Sequence, residues 1–140
     1  MQRWKRGSQA MVMVNAIFAG LSGAFVAVMI SNTTKCLWIQ ISITLGFVSF
    51  ILFALAAERI TDALDEDKVN IYLYSMLIYD IAVVLLFLSA AIFLFYHCWY
   101  LPSTILILGT GYPWLSDILW FVFSSTHKKN DYIEEICKEG

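Results

Sequence analysis

The chain has 140 residues, 60% of them hydrophobic and 14% charged, with a formal net charge of -2. A soluble domain of this size encloses too little interior to hide so much apolar surface, so the composition points to lipid as the solvent. The length fits one domain, and with no Lys/Arg cluster beyond short flanks no nucleic-acid partner is expected.

A helix needs roughly 20 apolar residues to cross the hydrocarbon layer, and four stretches qualify: about 10–30, 37–57, 71–96 and 103–125. An all-α integral membrane protein of four transmembrane helices is therefore predicted. The basic flank Arg3, Lys5 and Arg6 followed by an apolar run has the order of a signal peptide. The run exceeds the ~7–15 residues of such a core, so an uncleaved span is expected. Within it Asn15, Ala19, Gly23 and Ala27 recur every four residues, and Ala16, Gly20 and Ala24 form an adjacent row. Such rows let helix backbones approach closely in lipid. They serve either packing within the chain or a homo-oligomer interface. Asn32-Thr33-Thr34 matches a glycosylation acceptor in the following loop.

Residues 58–70 separate spans two and three as an acidic loop carrying Asp62, Asp65, Glu66 and Asp67. It lacks the alternating ligands and turn glycine of a calcium loop. Ile60, Ala63 and Leu64 have helical spacing, which would extend helix two beyond the membrane.

In span three Asp80 lies nine residues after Ile71, and in span four Asp117 lies nine before Thr126. Both acids are then ~14 Å in from the same side. Asn15 enters from that side too, so the three form a candidate polar layer or ion path. A charged carboxylate facing lipid costs ~2.5–3.5 kcal/mol at the helix centre, and intramembrane acids are functional candidates for that reason. No Lys or Arg lies within the spans to pair with either one. A packing role, with the acid protonated or hydrogen-bonded, is the competing reading.

Gly109-Thr110-Gly111-Tyr112-Pro113 interrupts span four. It resembles the TVGYG filter of potassium channels only superficially: the stretch 114–125 that follows is too short to be an inner helix. Pro113 lacks an N–H and disfavours helical geometry before it, so a kinked helix is predicted, with a re-entrant loop as the alternative.

Arg3, Lys5, Arg6, Arg59, Lys68, Lys128, Lys129 and Lys138 all fall on one side of this topology, and Lys35 on the other. The positive-inside rule makes both termini cytoplasmic, in a bacterial inner membrane or a plasma membrane. Trp38, Tyr96, Trp99 and Tyr100 mark the outer interface. Cys36 and Cys98 fall on that oxidising side and form a candidate disulfide. His97 and His127 lie on opposite sides, and no phosphate loop, nucleophile elbow or carboxylate–histidine cluster occurs, so no enzyme, metal or cofactor is expected.

The tail, 126–140, carries Tyr132, Ile133 and Ile136 as a short apolar face. With the acidic loop it is a candidate site for a cytoplasmic protein partner. The layout across the whole chain resembles small four-span membrane components of bacterial multi-protein systems, including anti-phage defence complexes. That resemblance implies a non-enzymatic, oligomeric subunit that anchors or senses at the membrane. The acids supply the alternative, a small cation or proton channel lined by Asp80 and Asp117.

Overall fold

The computed structural model describes residues 2–31 and 36–138. The helices are α1 (Arg3–Ser31), α2 (Leu37–Glu66), α3 (Val69–Tyr96), α4 (Tyr100–Leu106), α5 (Tyr112–Phe123) and α6 (Thr126–Cys137), with a π-helical turn over Ile107–Gly111 between α4 and α5. No strand occurs among the described residues. Four helical stretches, namely α1, α2, α3 and the continuous run Tyr100–Phe123, are long and apolar enough to cross a membrane. The chain is an all-α membrane protein, as composition and hydropathy predict.

The core is a heptad seam of small and polar residues. α1 buries Ser8, Asn15, Ser22 and Met29, each seven residues from the last. α2 buries Ile39, Ser42, Gly46, Ser49, Phe53, Ala56, Ile60 and Ala63, in alternating steps of three and four. α3 buries Ser75, Ala82, Leu86 and Ser89 on the same pattern. Steps of three and four keep one stripe facing a neighbouring helix. Small side chains on that stripe let the backbones close in, which is how helices gain packing in lipid.

Gly46 marks the tightest approach. A Cβ there would lie 2.9 Å from Val26 and 3.2 Å from both Met29 and Ser89, so α1 and α3 both press on α2 at this point. Beside it Ser42 Oγ donates to the Ser89 carbonyl and Ser89 Oγ donates to the Ser42 carbonyl, each at 2.6 Å. Ser49 Oγ donates to the Ala82 carbonyl at 2.8 Å. Together these bonds set the antiparallel register of α2 and α3. Phe53 sits further along, clustered with Ala82, Val83 and Leu86, with Phe18 of α1 stacked on it at 5.3 Å.

Several boundaries differ from the sequence-based expectation. α1 starts at Arg3, not near residue 10, because Trp4 and Ser8 continue the buried stripe. The acidic segment 58–70 is mostly helix and not a loop, in line with the helical spacing of Ile60, Ala63 and Leu64. α2 runs through it to Glu66, since Ala56, Ile60 and Ala63 carry the seam past the membrane-spanning part. The turn is only Asp67 and Lys68, with Asp67 left-handed (φ 54) and the Lys68 N–H bonded to the Ala63 carbonyl at 3.1 Å. The tail is helical: α6 is started by Ser125, whose Oγ accepts from the Lys128 N–H at 3.4 Å.

Span four covers Tyr100–Phe123 rather than 103–125, ending where Ser124 turns extended. It stays helical through Gly109–Pro113, so there is no re-entrant loop. Pro113 cannot donate to the preceding turn and its ring crowds the carbonyl four residues back. The helix answers by widening into the π turn just before it, a common site of helix bending.

Cys36 and Cys98 are both free, so the candidate disulfide is not formed. Cys98 has left-handed backbone (φ 63) in the exposed turn after α3, where its sulfur accepts from the Tyr100 hydroxyl at 3.5 Å. Cys36 instead lies beside the Tyr96 hydroxyl. Asn32-Thr33-Thr34 and Lys35 lie outside the described residues.

Candidate functional site

Three cavities follow the junction between α3 and the fourth span. One, of about 450 Å³, lies at the aromatic end among Trp38, Phe95, Tyr96 and Tyr100. The second, about 390 Å³, is lined by Phe87, Leu106, Leu108 and Tyr112, and shares Leu88 and Ile107 with the first. The third, about 460 Å³, holds Asp80 and Asp117 together, with Tyr132 of α6 at its edge.

The depth of the acids follows from the helix register. The Ser42–Ser89 and Ser49–Ala82 bonds put Asp80 level with Ile51, seven residues before Glu58, the first charge on α2. That is about 10 Å inside the apolar boundary. On α5, Asp117 falls between Trp114, packed on Phe87, and Phe121, packed on Tyr74, both at 5.6 Å. Asp117 is thereby held near the level of Asp80. Asp80 is half-buried and Asp117 exposed.

No residue of α5 is buried. This helix packs on α3 through Trp114 and Phe121 and meets α6 through Trp120 and Tyr132, and its other sides are open. Among the described residues, neither Asp80 nor Asp117 has an ion pair; every ion pair lies in the charged end segments.

Asn15, the third member of the expected polar layer, is elsewhere. It is fully buried on the α1 seam, where Nδ2 donates to the Met11 carbonyl at 2.8 Å and Oδ1 has no partner among the described residues. The heptad position draws it into the three-helix core, away from the cavity that unites the two acids.

The small-residue face divides as well. Ala19 and Gly23 are half-buried, and a Cβ on Gly23 would touch Phe50 at 3.5 Å. Ala16, Gly20, Ala24 and Ala27 are exposed, and nothing lies within 4 Å of a Cβ built on Gly20. The exposed row belongs to the uncovered side of α1, which also carries Met13, Ile17, Leu21 and Val28.

The residues offered for a cytoplasmic partner converge at one end. Trp4, Ala63 and Ile136 form a small core that docks α6 against α1 and α2. Around it Lys5 Nζ meets Asp67 Oδ1 at 2.7 Å and Arg3 Nη1 meets Glu135 Oε1 at 3.4 Å. Ile136 is thus used within the chain, while Ile133 is half-buried and Tyr132 packs edge-on to Trp120 at 5.4 Å. Asp65, Glu66 and Asp67 remain exposed and Asp62 half so.

The buried serines are what hydropathy overlooks. Their signal is present in the sequence as sevenfold spacing: Ser8, Asn15 and Ser22, then Ser42 and Ser49. No group of three or more metal-ligating side chains occurs among the described residues. Comparison with protein-family models, curated proteins and solved structures finds no match to this chain.

Proposed function

We propose that this chain is a non-enzymatic subunit of a membrane assembly, with both termini in the cytoplasm. One observation carries the reading: α5 holds a carboxylate at membrane depth yet buries none of its residues. A span of this kind is unfinished alone. Lipid is a poor partner for the carboxylate, and other chains are the natural cover. The exposed Ala16–Gly20–Ala24 row supplies a second smooth face for self-association. The acidic end of α2 is the surface offered to a cytoplasmic protein. The clustering of Arg3, Lys5, Arg59, Lys68, Lys128 and Lys129 at the end shared by both termini supports the orientation.

The test is particle mass in lipid nanodiscs, with co-purifying proteins identified, together with cross-linking of Val122→Cys, an exposed α5 position. A multimer or a stable companion, with cross-links through position 122, is expected. A lone monomer that forms no cross-link would end the proposal.

One observation favours a second reading, a cation or proton channel: Asp80 and Asp117 share one cavity. The serine seam of α1–α3 is closed, so any path would run between copies beside α3 and α5. Asp80→Asn and Asp117→Asn should then abolish flux through liposomes while leaving particle mass unchanged. A subunit without conductance shows no flux to lose.

A further inference from the structure

We propose that the groove holding Asp80 and Asp117 is the docking site for a transmembrane helix of a partner protein carrying a lysine or arginine at the same depth. The inference rests on the subunit reading above and adds the chemistry of the partner.

Charge narrows the occupant. Two carboxylates line one cavity about 10 Å inside the apolar boundary and neither has an ion pair among the described residues; Lys129 Nζ lies instead over the Phe121 ring of the cavity wall, 4.7 Å from its centroid. The apolar stretches 10–30, 37–57, 71–96 and 103–125 contain no Lys or Arg. A second copy would therefore bring more acid at membrane depth and no cation at that depth. A basic side chain on another helix is itself costly in lipid. Association removes both exposures at once, and the low dielectric strengthens the attraction between them.

Shape favours a helix over a free ion. The acids do not sit in an isolated polar cup. They lie in a groove of about 460 Å³ along the α3–α5 junction whose other walls are largely apolar, and an apolar helix lying along that junction would cover it. The walls beside the acids are Leu73, Met76, Leu77, Trp120 and Phe121. They suit the aliphatic stem of a lysine or arginine, whose charged tip would reach the carboxylates.

The probe is a synthetic Leu/Ala helix of roughly 20 residues with one lysine about 10 Å from the cytoplasmic end of its apolar segment. An otherwise identical helix carries leucine there. Each is titrated by energy transfer against the labelled full chain in lipid nanodiscs. The lysine helix should bind about tenfold more tightly than the leucine helix, a difference of ~1.4 kcal/mol. The Asp80→Asn/Asp117→Asn chain should bind both equally. Equal binding of the two helices by the native chain overturns the proposal without reliance on any variant. So does a lysine preference that survives the double asparagine substitution. So does self-association of the native chain that needs both acids and ignores the lysine helix, because a second copy would then be the occupant. Particle mass reports separately on the subunit reading: a multimer indifferent to the lysine helix keeps that reading and removes this one.

Discussion

Glycine has two distinct uses on this chain, and they differ by what stands opposite. At Gly46 the space a methyl would need is taken by Val26, Met29 and Ser89. At Gly20 it is empty. Gly46→Leu should therefore destabilise the three-helix core by about 1–3 kcal/mol or more, as overpacking does. Gly20→Leu should leave monomer stability unchanged and weaken any self-association through the α1 row. Unfolding titrations in mixed micelles, set beside particle mass in nanodiscs, separate the two effects. The serines make a related point. Single intramembrane hydrogen bonds average ~0.6 kcal/mol, because the unfolded chain in lipid also finds partners. Ser42→Ala and Ser89→Ala should each cost about 0.6 kcal/mol and add to about 1 kcal/mol in the double variant, because each hydroxyl donates to the other residue's backbone carbonyl, which alanine retains. Both acids stand out in the sequence because charge is rare in a span. The serines do not, since hydropathy treats a serine as a mild interruption whichever way it faces.

At the scale of elements, α2 ends where its buried stripe ends, not where hydropathy falls. α2 passes the last apolar residue of its span and continues because Ile60 and Ala63 still have something to pack on. α6 is a short polar helix that would be marginal alone, and it is held by Ile136 against Trp4 and Ala63. Ile136→Ala should free it. Amide hydrogens of α6 would then exchange at rates close to an unfolded peptide, while those of α2 and α3 keep their protection. Unchanged α6 protection would show that polar contacts such as the Arg3–Glu135 ion pair hold it instead. Exposed pairs contribute ~0–1 kcal/mol, so they are the weaker restraint. The π turn before Pro113 is a local answer to a missing N–H, and its position was legible from the proline alone.

For the whole molecule, the antiparallel packing gathers both termini and the α2–α3 turn at one end and Trp38, Tyr96, Trp99 and Tyr100 at the other. The free cysteines report on this arrangement. Cys98 is exposed at the aromatic end and Cys137 is half-buried at the opposite one. A membrane-impermeant maleimide added to intact cells should label Cys98 and spare Cys137. Labelling of Cys137 instead would invert the orientation. Cys36, half-buried beside Tyr96, should react more slowly than Cys98.

The sequence by itself determined the solvent, the number of spans and the two acids as the exceptional side chains. Each of these follows from the transfer free energy of individual residues, which needs no neighbours. Tertiary structure decided which polar residues meet. In the sequence Asp80 and Asp117 lie at equal depth and Asn15 enters from the same side somewhat shallower, so that all three look able to meet in one layer. The rotation of each helix sends Asn15 into the heptad seam and turns Asp80 and Asp117 toward one groove. Rotation is set by close packing at Gly46 and the serine hydrogen bonds, interactions between helices that no single stretch of sequence contains.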